Sequence, residues 1–142
     1  MARPMTGDEY KRFLMEGTRT GKLATVGADG RPHVVPVWFV LDGDTVVFTS
    51  DGSAAKSRHM RRDQRVALCV DEETPPYAFV LIEGTAEIHP YGPEMLDWTT
   101  RIARRYMGAE LAEAYGRRNA VEGELLVRLT PAKVIARQGI AE

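Results

Sequence analysis

Lys22-Leu-Ala-Thr-Val-Gly-Ala-Asp-Gly30-Arg-Pro-His33-Val-Val-Pro36-Val-Trp38-Phe-Val-Leu41-Asp-Gly-Asp-Thr45-Val-Val-Phe-Thr49 is the stretch that decides the fold. Three runs rich in β-branched and apolar residues, Lys22–Val26, His33–Leu41 and Thr45–Thr49, are separated by Gly27-Ala-Asp-Gly30 and Asp42-Gly43-Asp44. Asp-Gly pairs suit the positive φ angles of tight hairpin turns, so the spacing predicts a three-stranded antiparallel meander. No helical period separates the runs, and a doubly wound parallel sheet would need crossover helices there. Pro36 is the irregularity. Proline donates no hydrogen bond to a ladder, so it marks an edge, a bulge or a place where something other than a strand lies alongside.

Working outward, Thr6-Gly-Asp-Glu9 has the form of a capping box, and Tyr10, Phe13 and Leu14 give the helix it opens one apolar face before Gly17 stops it. Downstream, Ser53 is placed to cap a helix from Ala54 to Arg62, ended by Asp63. Arg65–Val70 and Tyr77–Ile88 read as strands, the second with a bulge at Glu83-Gly84. Gly92-Pro93 opens a helix reaching Met107, a second runs from Ala109 to Asn119, and Glu124–Ile135 is a last strand. The expectation is one domain over residues 1–142, mainly β (α+β), a six-stranded antiparallel barrel with peripheral helices.

Composition bounds the function. With 44% hydrophobic and 27% charged residues the chain is an ordinary globular domain, and its net charge of -1 offers no general field to nucleic acid or an acidic membrane. Any anion must be held by a local cluster. The single cysteine, Cys69, excludes an intramolecular disulfide; no apolar signal core or membrane-length run occurs, so a cytoplasmic location is expected. His33, His59 and His89 are scattered and give no zinc spacing. Gly-x-Ser-x-Gly, the phosphate-loop signature and Gly-x-Gly-x-x-Gly are absent. No catalytic acid, base or nucleophile is assigned.

The stretch Thr49-Ser-Asp-Gly-Ser-Ala-Ala-Lys56-Ser-Arg58-His-Met-Arg-Arg62 carries the chemistry. A strand ends in hydroxyl residues, passes through Gly52 and enters a helix bearing Lys56 and Arg58 in its first turns. Free N–H groups, hydroxyls and two cations converging in this way grip a phosphate; a solvated basic helix is the plain alternative.

Taken in order, the Gly-x-Pro-His-x-x-Pro-Val-Trp-Phe strand, the Thr-Ser strand end, the Lys-x-Arg-x-Met-Arg-Arg-Asp helix and the Phe-Val-x-Ile-Glu-Gly-Thr-Ala strand resemble the pyridoxamine 5′-phosphate oxidase-like family, closest to its actinobacterial F420-dependent branch. The resemblance runs from about Gly17 to Ala136 and implies a split β-barrel homodimer with two cofactors at the subunit interface. It implies that Pro36, Val37 and Trp38 line the cofactor's tricyclic ring, that Thr49, Ser50, Lys56 and Arg58 hold the phosphate of its tail, and that Tyr77 stands near the ring. Trp38 also suits plain packing in the core or at a subunit contact. Many relatives carry asparagine at His59 and some carry arginine at Ala54, so this chain offers the tail fewer contacts.

The implied activity is a reductase passing a hydride from reduced deazaflavin coenzyme F420 to an unsaturated carbonyl-type small molecule, which needs proximity and water exclusion rather than a protein nucleophile. FMN is the alternative cofactor, in a pyridoxamine 5′-phosphate oxidase-like enzyme. A non-enzymatic flavin or haem binder is the third reading.

Overall fold

The computed structural model describes residues 1–142. In chain order the elements are β1 (Arg3–Pro4), α1 (Gly7–Met15), β2 (Gly21–Val26), β3 (Pro32–Val37), β4 (Val40–Asp42), β5 (Thr45–Asp51), α2 (Ala55–Arg62), β6 (Arg65–Glu72), β7 (Ala78–His89), α3 (Met95–Met107), α4 (Ala112–Asn119) and β8 (Glu124–Gln138). All strands pair antiparallel in one eight-stranded sheet of order β3-β2-β6-β7-β8-β5-β4, with β1 added to β8. This is a split β-barrel with helices packed around it.

Eight strands replace the six expected, and the meander is corrected. The run His33–Leu41 is two strands, β3 and β4, interrupted at Trp38 and Phe39. These halves do not continue one another in the ladder: β3 and β4 are opposite edges of the sheet, yet only two residues join them. The sheet must therefore curl until its edges approach, and the Trp38–Phe39 link spans the split. Pro36 sits in β3, which pairs only with β2, an edge position that tolerates the missing donor.

Alternation sorts the strands' side chains. Leu68 and Val70 of β6, Val80 and Ile82 of β7, and Val127 and Leu129 of β8 point into the barrel with Phe39 and Phe48, and Leu14 of α1 and Met60 of α2 join the same core. The unbroken apolar run of β5 has a physical cause. Val46 and Phe48 face the barrel, whereas Val47 faces outward under α3 with Met95, Trp98 and Ile102.

The turn glycines Gly30 and Gly43 have φ of 84° and 60°, as the Asp-Gly pairs require. The bulge expected at Glu83-Gly84 is present, but the extra residue lies opposite, in β8. Glu83 pairs Lys133 and Gly84 pairs Pro131, so Ala132 is unpaired and the inward phase of β8 shifts from Val127 and Leu129 to Val134 and Ala136. Gly84 is glycine because a Cβ would lie 3.0 Å from the Thr130 carbonyl carbon and overlap its oxygen.

Helix starts were less legible. The capping box forms, with Glu9 N–H donating to Thr6 Oγ1 at 3.2 Å and Thr6 N–H to Glu9 at 2.9 Å. Ser53, however, does not cap α2: its hydroxyl and N–H donate to Asp51, and Ala54 holds the cap position without a side-chain bond. Met95 rather than Gly92 opens α3, and α4 starts at Ala112.

Candidate functional site

Where β3 leaves the sheet, where β5 ends and where α2 begins, the fold forms a cavity of about 300 Å³. Pro36, Val37 and Trp38 line it together with Thr49 and Lys56. These residues, well separated in sequence, share one space because β3 and β5 lie toward opposite edges of a sheet that curls back on itself. Thr99, Ile102, Asn119 and Glu124 complete the lining, from α3, α4 and the start of β8.

Trp38 is held flat. Its indole stacks on the Tyr106 ring, centroids 5.0 Å apart and planes within 7°. Tyr106 is fixed in turn: its hydroxyl donates to the Arg19 carbonyl at 2.8 Å and accepts from Phe39 N–H at 3.2 Å. Burial pushes the Tyr106 phenol above its usual range, so it remains a neutral donor. Arg105 supplies the matching donors, giving Nη1–H to the Phe39 carbonyl at 2.7 Å, Nη2–H to the Leu14 carbonyl at 2.6 Å and Nε–H to the Gly17 carbonyl at 3.0 Å. Phe39 lies outside any ladder, so α3 provides the bonds that a continuing strand would have given.

The polar lining residues include Lys56 and Glu124. Lys56 lies in the first turn of α2, is half-buried and has no ion-pair partner in the chain. With no side-chain cap on α2, the helix start offers N–H groups as well as the ammonium. Glu124 is half-buried, and burial first, then Asp51, pushes its carboxyl above the ordinary range against the pull of Thr49 and Lys56.

Three residues named from the sequence lie elsewhere. Ser50 is buried with its Oγ 2.5 Å from Ser57 Oγ, and Ser57 donates to the Asp51 carbonyl at 2.6 Å; the pair fastens α2 to β5. Arg58 turns back to the Ser53 carbonyl at 2.6 Å and stiffens the loop before α2. Tyr77, with φ of 65°, stands exposed in the loop between β6 and β7 beside Arg3, Phe13 and Arg19, in a different depression. His59 accounts for its own position: its Nδ1 lies 2.9 Å from Thr25 Oγ1, and its ring meets His33 edge-on at 5.1 Å, docking α2 on β2.

The residues missed from the sequence had one available signal. Thr99, Ile102 and Tyr106 fall at i, i+3 and i+7 of α3 and so share a face, the one that covers the split. Asn119 and Glu124 had none, since each stands at an element's end whose direction only the tertiary fold fixes.

The stacked Trp38–Tyr106 pair gives a specific expectation. Trp38→Ala should lower stability by only about 1–2 kcal/mol, the value of an aromatic pair plus partial burial, while cofactor affinity falls more than melting explains. A loss of several kcal/mol with unchanged affinity, measured by thermal melting and calorimetry, would make Trp38 a packing residue only.

The chain is thus an antiparallel barrel split at one seam, with a cavity beside that seam lined by apolar residues, hydroxyls and a lysine. Residues 6–138 match the pyridoxamine 5′-phosphate oxidase family, and the chain belongs to it. It is 32% identical to a 5a,11a-dehydrotetracycline/5a,11a-dehydrooxytetracycline reductase of Streptomyces rimosus, over 96% of this chain and 97% of that one. Among solved structures, a conserved hypothetical protein of Mycobacterium tuberculosis superposes with a TM-score of 0.82 at 26% identity, covering 95% of this chain and 86% of its own. An F420 reductase superposes with a TM-score of 0.70 at 26% identity, covering 87% and 94%. The function is of the oxidoreductase type. No helix is long and apolar enough to cross a membrane.

Proposed function

We propose that the chain is a reductase that holds deazaflavin coenzyme F420 in this cavity and passes its hydride to an unsaturated, carbonyl-type small molecule. The observation that carries the reading is the mixed lining of one cavity: Pro36, Val37 and the pinned Trp38 beside Thr49 and a Lys56 that is in no salt bridge. A planar ring with a phosphate-bearing tail suits that combination of residues. The relatives named as a dehydrotetracycline reductase and an F420 reductase support the same class of chemistry.

The cofactor, when bound, supplies the hydride. The chain's residues have simpler tasks. Lys56, Thr49 and the start of α2 bind the tail; Trp38, pinned by Tyr106, sets the plane of the ring; Val37 and Ile102 exclude water from its face. No side chain of the cavity is needed as a nucleophile.

The site is proposed to be completed by a second copy. The cavity lies at the low end of the roughly 300–1,000 Å³ typical of small-molecule sites. The outer face of β2, β6 and β7 carries a groove of about 460 Å³ with Ala24, Val26 and Ala67 in its lining and Arg65, Glu83 and Lys133 among its charged residues, with Val34 63% exposed beside it. Such a face suits a homodimer contact.

Titration of the purified protein with F420 and with FMN, followed by absorption and fluorescence, tests the cofactor, and sedimentation equilibrium tests the dimer. F420 binding tighter than FMN by a dimer is the expected result. Preference for FMN redirects the proposal to an oxidase-like enzyme; binding of haem alone, or full affinity in a monomer, overturns it.

A further inference from the structure

Glu124 is the one acidic residue in the wall of the cavity, facing the same space as Lys56 and Thr49. It opens β8 immediately after Gly123, whose φ of 97° and whose carbonyl, accepting from Gly52 N–H at 2.9 Å, fix the strand start against the β5–α2 loop. Asp51 is its partner across the β5–β8 ladder. The backbone at this position is therefore fixed, and the side chain lines the cavity and the cleft that adjoins it. If the tail phosphate lies by Lys56, as proposed above, a second anion stands in a space of about 300 Å³ with it. An ionised carboxylate there repels the ligand.

We propose that Glu124 takes up one proton when the cofactor's phosphate enters, so that cofactor binding is coupled to proton uptake and weakens as pH rises. The inference rests on the reading that this cavity holds the phosphate-bearing tail. The proton comes from solvent and adds to a Glu124 carboxylate oxygen; no bond of the cofactor changes. The acid, once neutral, is a hydrogen-bond donor beside the phosphate instead of a like charge.

The surroundings single out Glu124 as the group that titrates. Lys56 from α2 and Asp51 from β5 are the charges that act on it, and Arg61 and Glu122 border the adjoining cleft that it also lines. Asp51 is held below its usual range by the hydroxyl and N–H of Ser53 and stays ionised. Burial already favours the neutral form of Glu124 in the free protein. A bound anion favours it further, so the sign is fixed. Affinity is constant below the free-state pKa, falls by up to about tenfold per pH unit between the free and bound values, and levels above both.

Calorimetry of FMN, F420 and riboflavin binding between about pH 5 and 8, in buffers of different ionisation enthalpy, reads the coupling directly. Wild type should take up a proton with the phosphorylated cofactors and none with riboflavin. Glu124→Gln, which carries the neutral amide permanently, should lose that uptake and bind about tenfold tighter than wild type at the alkaline end. The difference between variant and wild type cancels any titration of the phosphate itself. The carboxyl carbon of Glu124, followed by NMR in wild type, should titrate at higher pH in the complex, a measurement that needs no variant. If neither FMN nor F420 binds, or Lys56→Ala binds both as wild type does, the cavity reading falls and this inference with it. If Lys56→Ala loses affinity while Glu124→Gln keeps the wild-type uptake and pH slope, only the role of Glu124 is overturned.

Discussion

Lys56→Ala is expected to weaken F420 or FMN about tenfold or more while the protein alone melts almost unchanged. The side chain is half-buried at the start of an eight-residue helix, is in no salt bridge and shares its cavity with Thr49 and Glu124. A phosphate placed there gains a charge-assisted hydrogen bond and the positive helix end, each worth roughly 1 kcal/mol or more when partly buried. Their loss corresponds to at least the ~1.4 kcal/mol that makes a factor of ten. Little folding energy is at stake, because the side chain holds no other element in place. The discriminating measurement is the contrast between FMN and riboflavin. A phosphate grip loses affinity for the first and hardly any for the second; a distorted fold weakens both alike. Equal FMN affinity in wild type and variant would move the phosphate elsewhere and take the proposed cofactor position with it.

Much of this site is legible in the amino-acid sequence because its cues are local. The Asp-Gly turns, the capping box and the strand-to-helix passage at Thr49–Lys56 each depend on residues within a few positions, and each forms near where the spacing puts it. Curvature is not legible. Nothing in His33–Leu41 distinguishes one continuous strand from two that end at opposite edges of a curled sheet, since Pro36 and Trp38 suit both. The same limit explains the divided phosphate cluster. Lys56 and Thr49 face the cavity, whereas Ser50 and Arg58, as polar and as near in sequence, are taken up by Ser57 and the Ser53 carbonyl. Residue type names the candidates, and helical phase and strand alternation divide them. Glu124 escapes notice for a related reason: a lone acid at a strand start carries no signal until the fold sets it opposite a lysine far away in sequence.

Arg105→Ala should cause the largest loss of stability among single changes outside the barrel core, about 2–4 kcal/mol, because it takes the strongest donor from the partly buried carbonyls of Leu14 and Phe39. The guanidinium is half-buried, and its N–H donors are spent on the carbonyls of Leu14, Gly17 and Phe39. Burial pulls its pKa down, yet an arginine stays charged at any working pH. Its removal leaves the Phe39 carbonyl, outside any ladder, with only the 3.3 Å contact from a Tyr106 hydroxyl that already donates to Arg19, and it frees the end of α1. Each partly buried carbonyl left unpaired costs roughly 1–3 kcal/mol, and the stacking of the guanidinium 4.6 Å over the Phe39 ring is lost with it. In a domain of this size the melting temperature should drop by about 10 °C. Arg105→Lys keeps the charge but supplies a single ammonium for three acceptors in different directions, so it should recover less than half of the loss. Exposed Arg104, the preceding residue on α3, is the control, and Arg104→Ala should stay within about 0.5 kcal/mol of wild type. The functional consequence follows from the same geometry. Arg105 and Tyr106 anchor α3 across the split, and α3 carries Thr99 and Ile102 into the cavity, so Arg105→Ala should also weaken the phosphorylated cofactor and riboflavin to the same degree. That uniform loss separates an anchor of the seam from the phosphate grip of Lys56. A melting temperature within about 2 °C of wild type for Arg105→Ala would mean that the seam closes without α3.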